Sequence, residues 1–138
     1  MITLKEENKM LVEKELNSNF QQVLENILVE GKDYYKPNFL SKPYLLNSGA
    51  KKICNILELE KDYKISKEIH NYEQNLITFR VRYTLRKGNE IVSKGIGEHT
   101  ANNRNKSLAI AKRKALIDAV LKILNLNNIF TRRKYKID

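Results

Sequence analysis

Arg80 and Arg82 sit on one face of an alternating stretch, and Lys94, Arg104, Lys106, Lys112, Arg113 and Lys122 follow downstream. Guanidinium and ammonium groups at this density suit phosphate oxygens, which they grip by charge-assisted hydrogen bonds that carry no base information. Their placement is uneven. Residues 1–79 hold 11 Lys/Arg against 12 Asp/Glu, whereas residues 80–138 hold 15 against 4, so the net charge of +10 lies entirely in the second half. All seven arginines fall after residue 79, which a genome biased towards Lys and Asn does not explain. Such a concentration repels itself unless a polyanion relieves it, so the expected partner is a nucleic acid. Tyr34, Tyr35 and Tyr44 lie among lysines and prolines in residues 32–47. Their rings could stack on the bases of a single strand or anchor that loop to the core.

Reactive groups in a catalytic arrangement are not evident. His70 and His99 lack metal-ligand spacing to each other or to Cys54. Cys54 falls on an apolar helical stripe and reads as a buried structural thiol. Glu98 and His99 read as members of a solvated loop, and carboxylates are sparse where a two-metal site would have to form. Gly95-Ile96-Gly97 is no phosphate loop, since no Gly-Lys-Ser/Thr follows it. The expectation is a binding protein with no cofactor and no metal, not an enzyme.

The elements that would position these residues can be read from periodicity. Residues 76–85 alternate, with Ile77, Phe79, Val81, Tyr83 and Leu85 on one face and Thr78, Arg80, Arg82 and Thr84 on the other. Lys87-Gly88-Asn89 supplies a turn, and residues 90–96 can pair back. Residues 62–70 read as an earlier strand, giving a meander. Gly95 and Gly97 permit a bulge, a sharp turn or close backbone approach at the strand exit. A polar loop and a long basic helix follow, capped by Asn103 or Asn105 and ending at residues 125–128. Ala111, Ala115 and Ala119 form a small-residue line on that helix, and Lys114, Asp118 and Lys122 form an i, i+4 charged stripe. The polar start of the helix reads as its exposed end. A short helix over residues 47–58, capped by Asn47 or Ser48, carries Ala50, Ile53, Cys54 and Leu57 inward and Lys51 and Lys52 outward. The expected class is α+β: an antiparallel meander of three or four strands with the long C-terminal helix and shorter N-terminal helices packed on it. Residues 1–30 read as an acidic helical segment, a candidate subunit contact, ahead of one domain over 31–138 with a basic tail. Neither a secretory pattern nor an apolar run long enough for a membrane is present, and the lone cysteine suits a reducing compartment, so a cytoplasmic location is expected.

The order of these parts resembles the single-strand annealing proteins of the RAD-fifty-two superfamily, including short forms from phages and mobile elements. Those relatives carry Lys-Pro-x-Leu-x-x-x-Gly-Ala-x-x-Ile/Leu-Cys, matched here from Lys42-Pro43-Tyr44-Leu45 through Gly49-Ala50 to Ile53-Cys54. They also carry an Ala-x-x-Lys-Arg-Ala-Leu-x-Asp-Ala helix, where this chain has its Lys/Arg-rich helix of residues 106–122, and a Phe-Thr ending, here Phe130-Thr131. The resemblance covers residues 31–133. It implies a homo-oligomer, ring or filament, that holds single-stranded DNA in a basic groove and anneals complementary strands without ATP in recombination or repair. Lys106, Lys112, Arg113 and Lys122 are the helix cations it points to. Arg80, Arg82, Lys94 and the basic helix start are expected to converge on that one groove. Two alternatives stay open: a double-stranded RNA-binding module, whose final helix also opens with lysines, and a small basic protein directed at an acidic partner.

Overall fold

The structure, a computed structural model, describes residues 28–37, 43–123 and 130. The helices expected over most of residues 1–30 and the basic tail after residue 130 lie outside this set. Its centre is a three-stranded antiparallel meander, β3 (Glu60–Asn71), β4 (Leu76–Lys87) and β5 (Glu90–Ala101), in the order β3-β4-β5. Ahead of it, β1 (Tyr34–Tyr35) and β2 (Tyr44–Leu45) form a two-residue ladder within what reads in the sequence as plain loop. Among the described residues there are two helices, α1 (Asn47–Ile56) and the long α2 (Arg104–Lys122). The α+β class and the meander with a long C-terminal helix are therefore present, with three strands in the main sheet.

Alternation on β4 decides which sheet face is covered. Phe79 and Val81 are fully buried against Ala111 and Ala115 of α2, with Ile77 and Tyr83 beside them. Arg80 and Arg82 necessarily point to the other face. Opposed residues on paired strands share a face, so His99, Gly97 and Gly95, opposite Phe79, Val81 and Tyr83, also lie beneath the helix.

The two glycines set the helix–sheet distance. A methyl group on Gly95 would collide with the backbone of Ala115 and Ala119, and one on Gly97 with that of Ala111 and Ala115. Close approach, not a strand exit, is their role. β5 runs through both glycines to Ala101 and leaves only Asn102 and Asn103 as loop, because the helix backbone seals this side. Asn103 caps α2 by accepting a 3.0 Å hydrogen bond from the Lys106 amide. The helix start is also packed: Ser107 is buried and its hydroxyl is shared between the Ile77 and His99 carbonyls, each at 2.8 Å. The line Ser107, Ala111, Ala115, Ala119 thus meets the sheet along its length. α2 ends at Lys122, ahead of the expected residues 125–128.

A second core, built from Leu45, Ile53, Cys54, Leu57, Leu85, Leu116, Val120, Leu121 and Phe130, joins α1 to the far end of α2. Burial pushes the Cys54 thiol up to about 11, against a smaller opposing effect of Lys61, as suits a packing residue. α1 is preceded by Leu46, which offers no side-chain cap, so neither Asn47 nor Ser48 takes the expected role. The Ser48 hydroxyl is committed to Asp33, which is completely buried and also accepts from the Val29 amide at 2.7 Å and Lys52 Nζ at 2.6 Å. Lys52 therefore pins the segment before β1 to α1 and is not a free outward cation. Burial raises the Asp33 carboxyl. The hydrogen bonds from Lys52, Ser48 and Val29, with the Lys52 charge, outweigh it and hold the group below its ordinary value.

Candidate nucleic-acid interface

The cations expected to share one groove are divided by the sheet. Arg80, Arg82 and Lys94 lie on the face away from α2, because they alternate with residues the helix buries. Arg104, Lys106, Lys112 and Arg113 belong to the helix itself. Within one chain the sheet stands between the two sets.

On the helix side, α1 and α2 enclose a cavity of about 220 Å³ lined by Asn47, Lys51, Tyr83, Ala109, Lys112 and Arg113. Three of these side chains are cationic and none is acidic. Lys112 Nζ also stands 4.0 Å from the centre of the Tyr63 ring, a cation–π contact that places it at the mouth of the hollow. Tyr63 and Tyr83 meet edge-on-tilt with ring centres 5.7 Å apart, and Tyr63 keeps about half its surface (48%) exposed. Burial, followed by the neighbouring Tyr63 and Cys54, raises the Tyr83 hydroxyl, so it stays protonated and available to donate. An arginine fork, two ammonium groups and Tyr83 in one hollow, with Tyr63 beside Lys112, can hold a phosphate and offer a stacking surface for a base.

On the open side, β3, β4 and β5 bring Lys64, Arg82 and Lys94 around a hollow of about 250 Å³, which Asp62, Tyr63, Tyr83 and Ile96 also line. Lys67 and Arg80 continue this surface along the strands, Arg80 lying 3.6 Å from Glu98. It is basic but carries carboxylates, and Tyr63 and Tyr83 border it as well.

The remaining expected residues fall elsewhere. Arg104 bonds Glu68 on β3 at 3.2 Å and lies over the Phe79 ring, which closes the α2 start onto the sheet. Lys106 is exposed on the first turn, away from the cavity lining. Lys122 is ion-paired with Asp118 at 3.0 Å, and Asp118 itself accepts from the Ile96 amide at 2.9 Å, so this end of the stripe ties α2 to β5. Tyr34 packs on the core, and Tyr35 and Tyr44 stack on each other with ring planes 10° apart. None of the three lines either hollow. Glu98 and His99 are strand residues, not loop: His99 is buried under α2 with Nδ1 3.1 Å from Lys114 Nζ, which also donates to the Glu98 carbonyl. Burial lowers the Lys114 ammonium against the opposing pull of Glu98.

Lys51, Lys64 and Lys67 are the interface residues that sequence reasoning missed. Lys64 was legible as the polar face of an alternating strand, whereas Lys67 alternates with the apolar residues in the sequence and joins that face only through the irregularity between Ile65 and Lys67. Lys51 was visible only as outward on α1, since nothing local says that α1 abuts the middle of α2. Among the described residues no three His, Cys, Asp or Glu groups gather as metal ligands, and no helix is long and apolar enough to cross a membrane. No protein-family model matches the chain, and no curated protein is significantly similar to it.

Proposed function

We propose that the chain binds single-stranded DNA and anneals complementary strands without ATP, as a cytoplasmic homo-oligomer of the kind the resemblance implies. The observation that carries this reading is the helix-side cavity. Lys51 from one helix and Lys112 and Arg113 from another converge there beside two tyrosine rings with no carboxylate in the lining. Three cations held together repel one another, and a phosphodiester relieves that repulsion while a neighbouring base covers Tyr63. Contacts of this type read the backbone and not the sequence, which annealing of arbitrary complements requires.

Fluorescence anisotropy with equal-length single-stranded DNA and double-stranded RNA, each titrated with salt, tests the proposal. Preferential, salt-sensitive binding to single-stranded DNA is expected, followed by faster pairing of complementary oligonucleotides when protein is added. Preference for the RNA duplex would replace the proposal with a double-stranded RNA-binding function. Binding to neither at low salt would point to an acidic protein partner instead.

A further inference from the structure

The two edges of the sheet are treated differently. At β5 the outward Ile96 amide is taken by the Asp118 carboxylate, and α2 lies along the strand. β3, a twelve-residue strand, pairs among the described residues with β4 alone and is exposed from Asp62 onward. It therefore offers an open row of backbone donors and acceptors, flanked by exposed Tyr63, Ile65 and Ile69. Charged side chains, lysines above all, are the usual device that keeps an edge from pairing with another chain. β3 carries both signs along its length, Glu60, Lys61, Asp62, Lys64, Lys67 and Glu68, so its charges can be met by those of a second copy.

The faces of β3 follow from its register with β4. Lys61, Tyr63, Ile65, Glu68 and His70 oppose residues on the helix side, and Asp62, Lys64, Lys67 and Ile69 oppose residues on the open side. The change of phase comes from the irregularity at Ser66, which is skipped between Ile65 and Lys67. When two copies of a strand join antiparallel within a continuous sheet, each side chain meets one from the same face, so half of all registers are excluded.

We propose that β3 is a two-fold interface at which two copies of this chain pair β3 to β3, with the axis through Lys64. With Ser66 skipped on both strands as it is against β4, Asp62 then faces the partner's Lys67, and Lys61 faces the partner's Glu68. Tyr63 packs on the partner's Ile65, and Glu60 lies opposite the partner's Ile69. Every one of these pairs occurs twice by symmetry. The single like-charge meeting is Lys64 with the partner's Lys64 on the open face. Moving the axis to Ile65 sets Lys64 against the partner's Lys67 and Tyr63 against the partner's Glu68. Moving it to Tyr63 keeps opposite charges together but shortens the pairing from residues 60–69 to residues 60–67. An isologous contact of this kind closes with two copies, joining two three-stranded sheets into one of six strands. It requires no nucleic acid, so its failure is distinguishable from a failure of the proposed DNA binding, with which it shares Tyr63.

Sedimentation equilibrium of the full chain without nucleic acid is the test. The wild type should dimerise. Asp62→Lys and Lys67→Asp should each raise the dimer dissociation constant roughly tenfold or more, since each turns two attractions into two repulsions. The double variant D62K/K67D should regain wild-type dimerisation. All these positions are exposed, and wild-type melting of each variant shows that the fold is kept. Oxidation of a Lys64→Cys variant should yield a covalent dimer. A monomer at every concentration, failure of the swap to restore association, or cross-linking through Tyr63→Cys in place of Lys64→Cys would overturn the proposal.

Discussion

The seam between α2 and β5 and the open strand β3 are built on opposite plans from similar lengths of chain. The seam contains Gly95, Gly97, Ala111, Ala115 and Ala119, with backbone packed on backbone and Ser93 bonding the Ala119 carbonyl at 2.6 Å. β3 has charged and large side chains and almost no burial. Small residues therefore carry the stability of this sheet, and large, charged ones are left to meet partners. Side-chain size alone would have assigned these roles the other way round.

The largest expected effect comes from loosening the seam. Gly97→Val should destabilise by about 3 kcal/mol, since its side chain has to displace the helix backbone. Urea denaturation measures this, and a wild-type midpoint would mean that the helix sits further from β5. Next comes the buried carboxylate that ties the segment before β1 to α1. Asp33→Ala should cost about 2 kcal/mol by leaving Lys52 and Ser48 without their acceptor. Because the folded-state carboxyl is held below its ordinary value, this contribution is complete above the ordinary carboxylate range and is lost as pH falls through the folded value. The gap between wild-type and variant melting temperatures should therefore close in acid; a gap that persists unchanged there would contradict the ion pair.

On the binding side the expected changes concern affinity and leave the fold intact. Lys51→Gln with Arg113→Gln should weaken single-stranded DNA binding about tenfold or more and flatten the salt slope by about two contacts, with unchanged melting. Arg82→Gln with Lys94→Gln on the open face should weaken it less, and the reverse ranking would move the strand to that face. The smallest effect is expected at Ile69→Thr, within about 0.5 kcal/mol of wild type by denaturation, because that side chain is exposed on β3. In dilute, monomeric protein a larger loss would mean that Ile69 packs within its own chain.

Much of this fold was legible because local pattern and tertiary role agree. The alternation from Ile77 to Leu85, the Lys87–Glu90 turn, the Asn103 cap and the alanine line all describe what the chain does. The failures share a cause. Gly95 and Gly97 permit several backbone outcomes, and only the opposing alanines on α2 select straight passage through to Ala101. Arg80 and Lys112 both read as basic, yet nothing local states that a sheet lies between them. Lys51 and Asp33 acquire their roles from neighbours distant in sequence. The candidate site was thus visible as a set of residue types, and its division into two faces was not.

The most direct test of the helix-side cavity as the strand-binding site is an amide chemical-shift map of the full chain titrated with an oligothymidylate. Saturable shifts at Asn47, Lys51, Tyr83, Ala109, Lys112 and Arg113 are the expected result. Shifts confined to Lys64, Arg82, Lys94 and Ile96 would contradict it and place the strand on the open face of the sheet.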